Sequence, residues 1–132
     1  MTPSYKPEGY NSASPYLIVA GADRAMEFLA RAFDAVEVRR FTTPAGTVGH
    51  AEMRVDDSII MFADAVEGWP PVPAHVHLYV ADVDEAYRRA LEFGAEPVRP
   101  PAQESDEDRR GGVRDPGGTT WWISTRVGMP GA

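Results

Sequence analysis

The apolar positions of the chain follow two periods, strand-like and then helical, and the succession occurs twice. Leu17-Ile18-Val19 and Leu78-Tyr79-Val80 are short apolar runs, each followed by an acidic residue and then by apolar residues at spacings of three and four. Met26, Leu29, Ala30 and Phe33 fall on one helical face in the first half, and Val83, Tyr87, Ala90 and Leu91 do so in the second. Leu17 aligns with Leu78, Val19 with Val80, Asp23 with Asp84 and Ala25 with Ala86; after one inserted residue, Phe33-Asp34-Ala35 falls on Phe93-Gly94-Ala95. Self-similarity of this kind marks a duplicated unit. Asp82, with Glu85 three residues on, predicts a capped helix start, and Gly94 predicts a helix end.

After each helix the pattern is that of strands, expected near Glu37–Thr42, His50–Val55 and Ser58–Ala63, and again near Glu96–Arg99, Gly111–Arg114 and Thr120–Arg126. Asp56-Asp57 and Asp115-Pro116-Gly117-Gly118 are the turns. Pro100 to Arg110 reads as a charged loop, and Glu67 to Pro73 as a stiff, proline-rich connector barred from a central ladder. The expected architecture is α+β: one domain over residues 1–132, made of two βαβββ units related by a pseudo-twofold. The units run from about 14–64 and 75–127, joined by a connector at about 65–74, each a curved mixed sheet with its helix on one side.

Strand parity then separates two faces. Ala51, Met53 and Val55 alternate with His50, Glu52 and Arg54, and Val76, Leu78 and Val80 alternate with His75, His77 and Tyr79. Trp121 and Ile123 alternate with Thr120, Trp122 and Ser124. With the apolar sets against the helices, the other face collects His50, Glu52, His75, His77, Tyr79 and Trp122, the makeup of a ligand pocket. A dimer interface, or a set of satisfied histidines, is the alternative reading of that face. His50 beside Glu52 is the candidate acid–base pair. Asp106, Glu107 and Asp108 read as a solvated charge run.

Composition narrows the chemistry. With 132 residues the chain buries a core without staples, and with no cysteine it has neither disulfides nor thiolate sites, which suits a reducing, cytoplasmic setting. The formal charge of −7 argues against nucleic acid as a partner. Neither a spanning apolar run nor a signal-peptide core is present, so no membrane partner is expected. The arginine doublets at 39–40, 88–89 and 109–110 read as solvated surface.

Pro15-Tyr16-Leu17-Ile18-Val19, Met26-Glu27-Phe28, Gly49-His50-Ala51-Glu52, the run Val76 to Asp84, and Asp108-Arg109 through Val113-Arg114-Asp115-Pro116 to Gly118 and Trp121 carry a family likeness. In order and spacing they resemble the vicinal oxygen chelate superfamily of glyoxalase I, bleomycin-resistance proteins and extradiol dioxygenases, in its PhnB-like, glyoxalase-related branch. The resemblance implies paired βαβββ units and, in metal-using members, four ligands from the first and last strands of each. Those positions fall here on Ser14, Met61 or a neighbour, His75 and Trp122, of which His75 alone is a credible ligand. Gly117, Thr119 and Asp34 depart from the usual phenylalanine, histidine and glycine of the branch.

The expectation is therefore a metal-free protein with no cofactor, binding a small molecule against Tyr16, His50, Glu52, Met61, His75, His77, Tyr79 and Trp122. The resemblance also implies a homodimer, supported by the exposed apolar run Trp69-Pro70-Pro71. A metal-dependent lyase, isomerase or dioxygenase is the alternative, with His50, Glu52, His75 and His77 as its candidate ligands. An interaction domain with a vestigial cavity is the third reading.

Overall fold

The computed structural model describes residues 3–131. Its elements run β1 (Tyr16–Val19), α1 (Ala22–Phe33), β2 (Val36–Thr42), β3 (Val48–Val55), β4 (Ser58–Asp64), β5 (His75–Tyr79), α2 (Val83–Glu92), β6 (Glu96–Gln103), β7 (Asp108–Arg114) and β8 (Thr120–Arg126). Two four-stranded sheets form, ordered β1-β4-β3-β2 and β5-β8-β7-β6. In each, the first strand pairs parallel with the last and the other pairs are antiparallel. Matching order and sense in the two halves is the expected pair of βαβββ units.

Parity sets the core. Ala51, Met53 and Val55 are buried with Leu17, Val19, Ile60 and Phe62 against Met26, Phe28 and Leu29 of α1. The second helix buries a narrower stripe, Val83, Ala86 and Ala90. Leu91, expected on that stripe, is 37% exposed: it sits about 100° around the helix from Ala90, and alanine at 86 and 90 seats the helix close to the sheet along one line only. Asp82 caps α2, its side chain accepting from Glu85 N–H at 3.2 Å.

Gly21, ahead of α1, supplies no side-chain cap. The service comes from β4, where Asp64 accepts from Ala22 N–H through Oδ1 and from Val48 N–H through Oδ2, both at 2.7 Å. One carboxylate so fixes the start of α1 and the start of β3. At the other end of α1, Asp34 takes the left-handed conformation (φ 58°) that the second unit gives to Gly94, and its carboxylate accepts two bonds from the Arg89 guanidinium of α2.

The segment expected as a loop from Pro100 to Arg110 is mostly strand. β6 continues to Gln103 and β7 begins at Asp108, leaving four residues between them. Prolines 97, 100 and 101 are tolerated because β6 is the outer strand of its sheet, and its pairing with β7 shifts register on both sides of Arg99.

Among the described residues the units meet through α1 and α2, and no strand of one sheet packs against a strand of the other. Phe33 lies 5.5 Å from the fully buried Trp121 ring, and a Cβ on Gly117 would come within 3.2 Å of Ala25 and Val19. That seam has no room for the phenylalanine usual at position 117. Replacing Asp64 by alanine is expected to lower unfolding free energy by about 1–3 kcal/mol, since two backbone donors lose a charged acceptor. Asp82→Ala, which removes one exposed cap, is expected to cost about 1 kcal/mol. Urea denaturation of both variants checks the order.

Candidate functional site

Each sheet turns one face away from its helix, and the predicted site residues divide between the two. On the first sheet, Tyr16, Met61 and Glu52 stand in one row across β1, β4 and β3. His50 and Phe41 pair across β3 and β2 on the same face. On the second, His77 and Trp122 pair across β5 and β8, flanked by His75 and Tyr79. The structure brings Tyr16, His50, Glu52 and Met61 together, and separately His75, His77, Tyr79 and Trp122. Because the strands of the two sheets do not touch, the two sets do not share a single surface within one chain.

On the first face a buried carboxylate organises a chain of hydrogen bonds. Glu52 is 5% exposed and accepts from the Tyr10 hydroxyl through Oε1, with Arg39 Nε at 3.5 Å from the same oxygen. Its Oε2 lies 2.8 Å from His50 Nε2, and His50 Nδ1 lies 3.3 Å from the Tyr16 hydroxyl. An ionised carboxylate only accepts, so Nε2 carries the proton, and in the neutral ring Nδ1 accepts from Tyr16. Burial pushes the Glu52 carboxyl upward, but the bonds from Tyr10 and His50 and the Arg39 charge outweigh it and hold it below the usual carboxylate range. A cavity of about 190 Å³ opens beside Tyr16 and Ile18, walled by Val48, Ala63 and Trp69.

Tyr10 and the segment around it carried no signal in the sequence. Asn11 Oδ1 accepts from Ile59 N–H at 2.9 Å, and Gly9 lies against the Arg54 guanidinium, so the leading segment straps the end of this face. Arg39, expected as solvated surface, stands by Glu52 because it shares the parity of Phe41 on β2.

The second face carries a longer network. Asp108, expected in a solvated charge run, is 4% exposed; its Oδ2 accepts from the Tyr79 hydroxyl at 2.7 Å and from Arg110 at 3.0 Å. Arg110 Nε donates to Ser124 Oγ, which lies 3.0 Å from His77 Nε2. Asp108 and Arg110 stand two apart on β7, so both side chains face Tyr79 and Ser124; a run whose only apolar side chain is Val113 carried no alternation to signal it. Burial and the Arg110 charge push the His77 ring below its ordinary value and favour its neutral form. Trp122 Nε1 donates to His75 Nδ1 at 3.0 Å, with the two rings 7° from parallel.

The four positions at which metal-using relatives carry ligands do not fit a metal here. Ser14 precedes β1 and Met61 lies on β4, while His75 and Trp122 belong to the second sheet; His75 Nδ1 already accepts the indole N–H, which in a neutral ring leaves the proton on Nε2. Among the described residues no group of three or more His, Cys, Asp or Glu side chains is placed to hold an ion. The alternative set His50, Glu52, His75 and His77 is divided between the sheets. Among the described residues no helix is long and apolar enough to cross a membrane.

Comparison with known proteins follows the same lines. The family model of the Glyoxalase/Bleomycin resistance protein/Dioxygenase superfamily matches residues 11–123. The uncharacterized protein Mb0911c of Mycobacterium bovis is 37% identical over 125 residues, covering 86% of this chain and 82% of that protein. Among solved structures, TioX from Micromonospora sp. ML1 superposes with a TM-score of 0.71 at 26% identity, covering 88% of this chain and all of TioX. TnmS3, an antibiotic binding protein from Streptomyces sp. CB03234, superposes at 0.68 with 17% identity over 88% of this chain and 97% of its own.

Glu52→Gln is expected to destabilise the fold by about 1–3 kcal/mol at neutral pH, because the amide cannot accept from both Tyr10 and His50. A carboxyl held low in the folded state contributes stability above its unfolded pKa and loses it as pH falls through the folded one. The gap between wild type and variant should therefore close in the acid range, measured by denaturant melts from pH 7 to pH 3.

Proposed function

Because the chain belongs to the glyoxalase/bleomycin resistance protein/dioxygenase superfamily, we propose that it is a metal-free, cytoplasmic small-molecule binding protein that acts as a homodimer. The observation that carries this reading is the surface the sheets turn away from their helices. Tyr16 is 51% exposed, Phe41 58% and Tyr79 57%, interleaved with hydrogen-bonding groups already held in place by Glu52 and Asp108. Aromatic area with fixed polar partners binds small molecules at low entropic cost, since the side chains are ordered before the ligand arrives. The ligand-contacting residues are Tyr16, His50, Glu52 and Met61 on one face and His75, His77, Tyr79 and Trp122 on the other. A second copy of the chain provides cover for faces that one copy leaves open, and Trp69, 65% exposed on the connector, offers it apolar surface. The antibiotic-binding role of TnmS3, a protein of the same fold, is consistent with this use.

The Glu52–His50–Tyr16 chain favours one second reading, proton transfer by His50 on a molecule bound beside Tyr16. It needs no metal and is compatible with the same cavity.

Native mass spectrometry of the purified protein, joined to elemental analysis, tests the proposal. The expected result is a dimer carrying a retained small molecule, or taking one up from a cell extract, with divalent metal well below one ion per chain. A monomer with no ligand under any condition would sink the binding reading. Near-stoichiometric nickel, zinc, manganese or iron that is lost on His75→Ala would promote the metal-dependent lyase, isomerase or dioxygenase in its place.

A further inference from the structure

The second sheet carries a flat surface built from two rings. Trp122 Nε1 donates to His75 Nδ1 at 3.0 Å, and the two rings are 7° from parallel with centroids 6.1 Å apart; an indole N–H points along its ring plane, so the bond sets the rings side by side. On its other side the indole lies over Gly112 of β7. A Cβ at that position would come 2.6 Å from Trp122 Cζ3 and 2.8 Å from Cε3, so the ring can lie down on the sheet only because residue 112 has no side chain. The indole is thus held from below by backbone and from the side by His75, and the Arg99 guanidinium lies over its ring.

The charges around it are distributed unevenly. Arg110 is committed to Asp108, Asp106 and Ser124, and Arg114 lies 3.9 Å from Glu96. Arg99, on β6 beyond Gly112, places its guanidinium carbon 5.4 Å from the Trp122 ring centroid and is exposed; among the described residues it has no carboxylate partner within salt-bridge distance. His77, next to Trp122 in the ladder, favours its neutral form. A cation without a carboxylate partner among the described residues therefore lies over a planar aromatic surface, in a chain whose formal charge is −7.

We infer that the Trp122–His75 surface with Arg99 over it is a subsite for a planar aromatic anion, a fused-ring carboxylate or sulfonate whose rings take the place of the guanidinium on the indole and whose acid group pairs with Arg99. This deepens the small-molecule reading and rests on it. Planarity follows from the ring pair and its backbone floor; the sign of charge follows from the free guanidinium. The overall field of the protein opposes an anion, so a preference for one has to come from a local group.

The test is isothermal titration calorimetry of the purified full chain at about 0.15 M salt, where long-range charge is largely screened. The probes are anthracene-2-carboxylate, the cationic 2-(aminomethyl)anthracene, and adamantane-1-carboxylate as a non-planar anion. The carboxylate is expected to bind about tenfold more tightly than either of the others, as a charge-assisted pair on a stacking surface implies. Arg99→Gln should abolish the preference over the cation, and Arg99→Lys should keep most of it. Gly112→Ala should weaken the carboxylate about tenfold, because the new methyl lifts the indole, with far-UV circular dichroism unchanged. Equal binding of both anthracenes, or a carboxylate preference that survives Arg99→Gln, overturns the anion assignment. Equal binding of the adamantane acid overturns the planar surface. If neither anthracene binds, this inference fails; the small-molecule reading fails with it only if native mass spectrometry also finds no ligand.

Discussion

One buried indole determines most of the second sheet. Trp121 is fully enclosed between β8, Phe33 and the helices, and an enclosed indole N–H needs an acceptor. Asp115 Oδ2 provides it at 2.8 Å, while Asp115 Oδ1 accepts from the backbone of Gly117 and Thr119. The same carboxylate thus satisfies the core and closes the turn between β7 and β8, fixing the register of their ladder. Alternation does the rest: with Trp121 held inward, Trp122 must point outward, and the same ladder sets it opposite Gly112 and beside His77. The surface available to a ligand is a consequence of how the core was packed.

The first sheet reaches an open polar face by another route. Its buried anion, Glu52, sits on the helix-free side, where strand parity places it, and is shielded by Tyr10 from the leading segment and by Arg39 from β2. Burying a lone carboxylate is costly, and here two hydroxyl and imidazole bonds with one guanidinium offset the cost. The second face carries a guanidinium, Arg99, that lies over the Trp122 ring and has no carboxylate within salt-bridge distance among the described residues. The separation of the two faces comes from the seam between units, which is made by helices and by the glycine turn at 117 and leaves both sheets free on the far side.

The duplicated pattern made the fold legible, because burial of one side of each element leaves a periodic trace. The alternation of Ala51, Met53 and Val55 with His50 and Glu52, and the outward set of β5, follow from that trace. The extent of β6 and β7 did not, because proline and charge in an outer strand carry the same composition as a loop. Asp64 was missed for a different reason: it caps α1 from a strand 42 residues away, a contact that no local spacing encodes. Tyr10 strapping Glu52 is long-range in the same sense. Parity also told which residues leave the helix side but not which sheet faces which, so eight candidate residues that read as one pocket divide into two sets of four.

Trp122 and a metal compete for the same resources on the second sheet. A cation approaching His75 through Nδ1 has to displace an indole N–H that already donates there, and a proton donor cannot be converted into a ligand by rotation. The indole also fills the space above Gly112, and tilting it away gives up the backbone floor on one side and the His75 bond on the other. Moving the ring would therefore cost contact area and a hydrogen bond together. The same contact is why residue 112 has to be glycine if residue 122 is to be a tryptophan lying on the sheet: a Cβ there would come 2.6 Å from the ring.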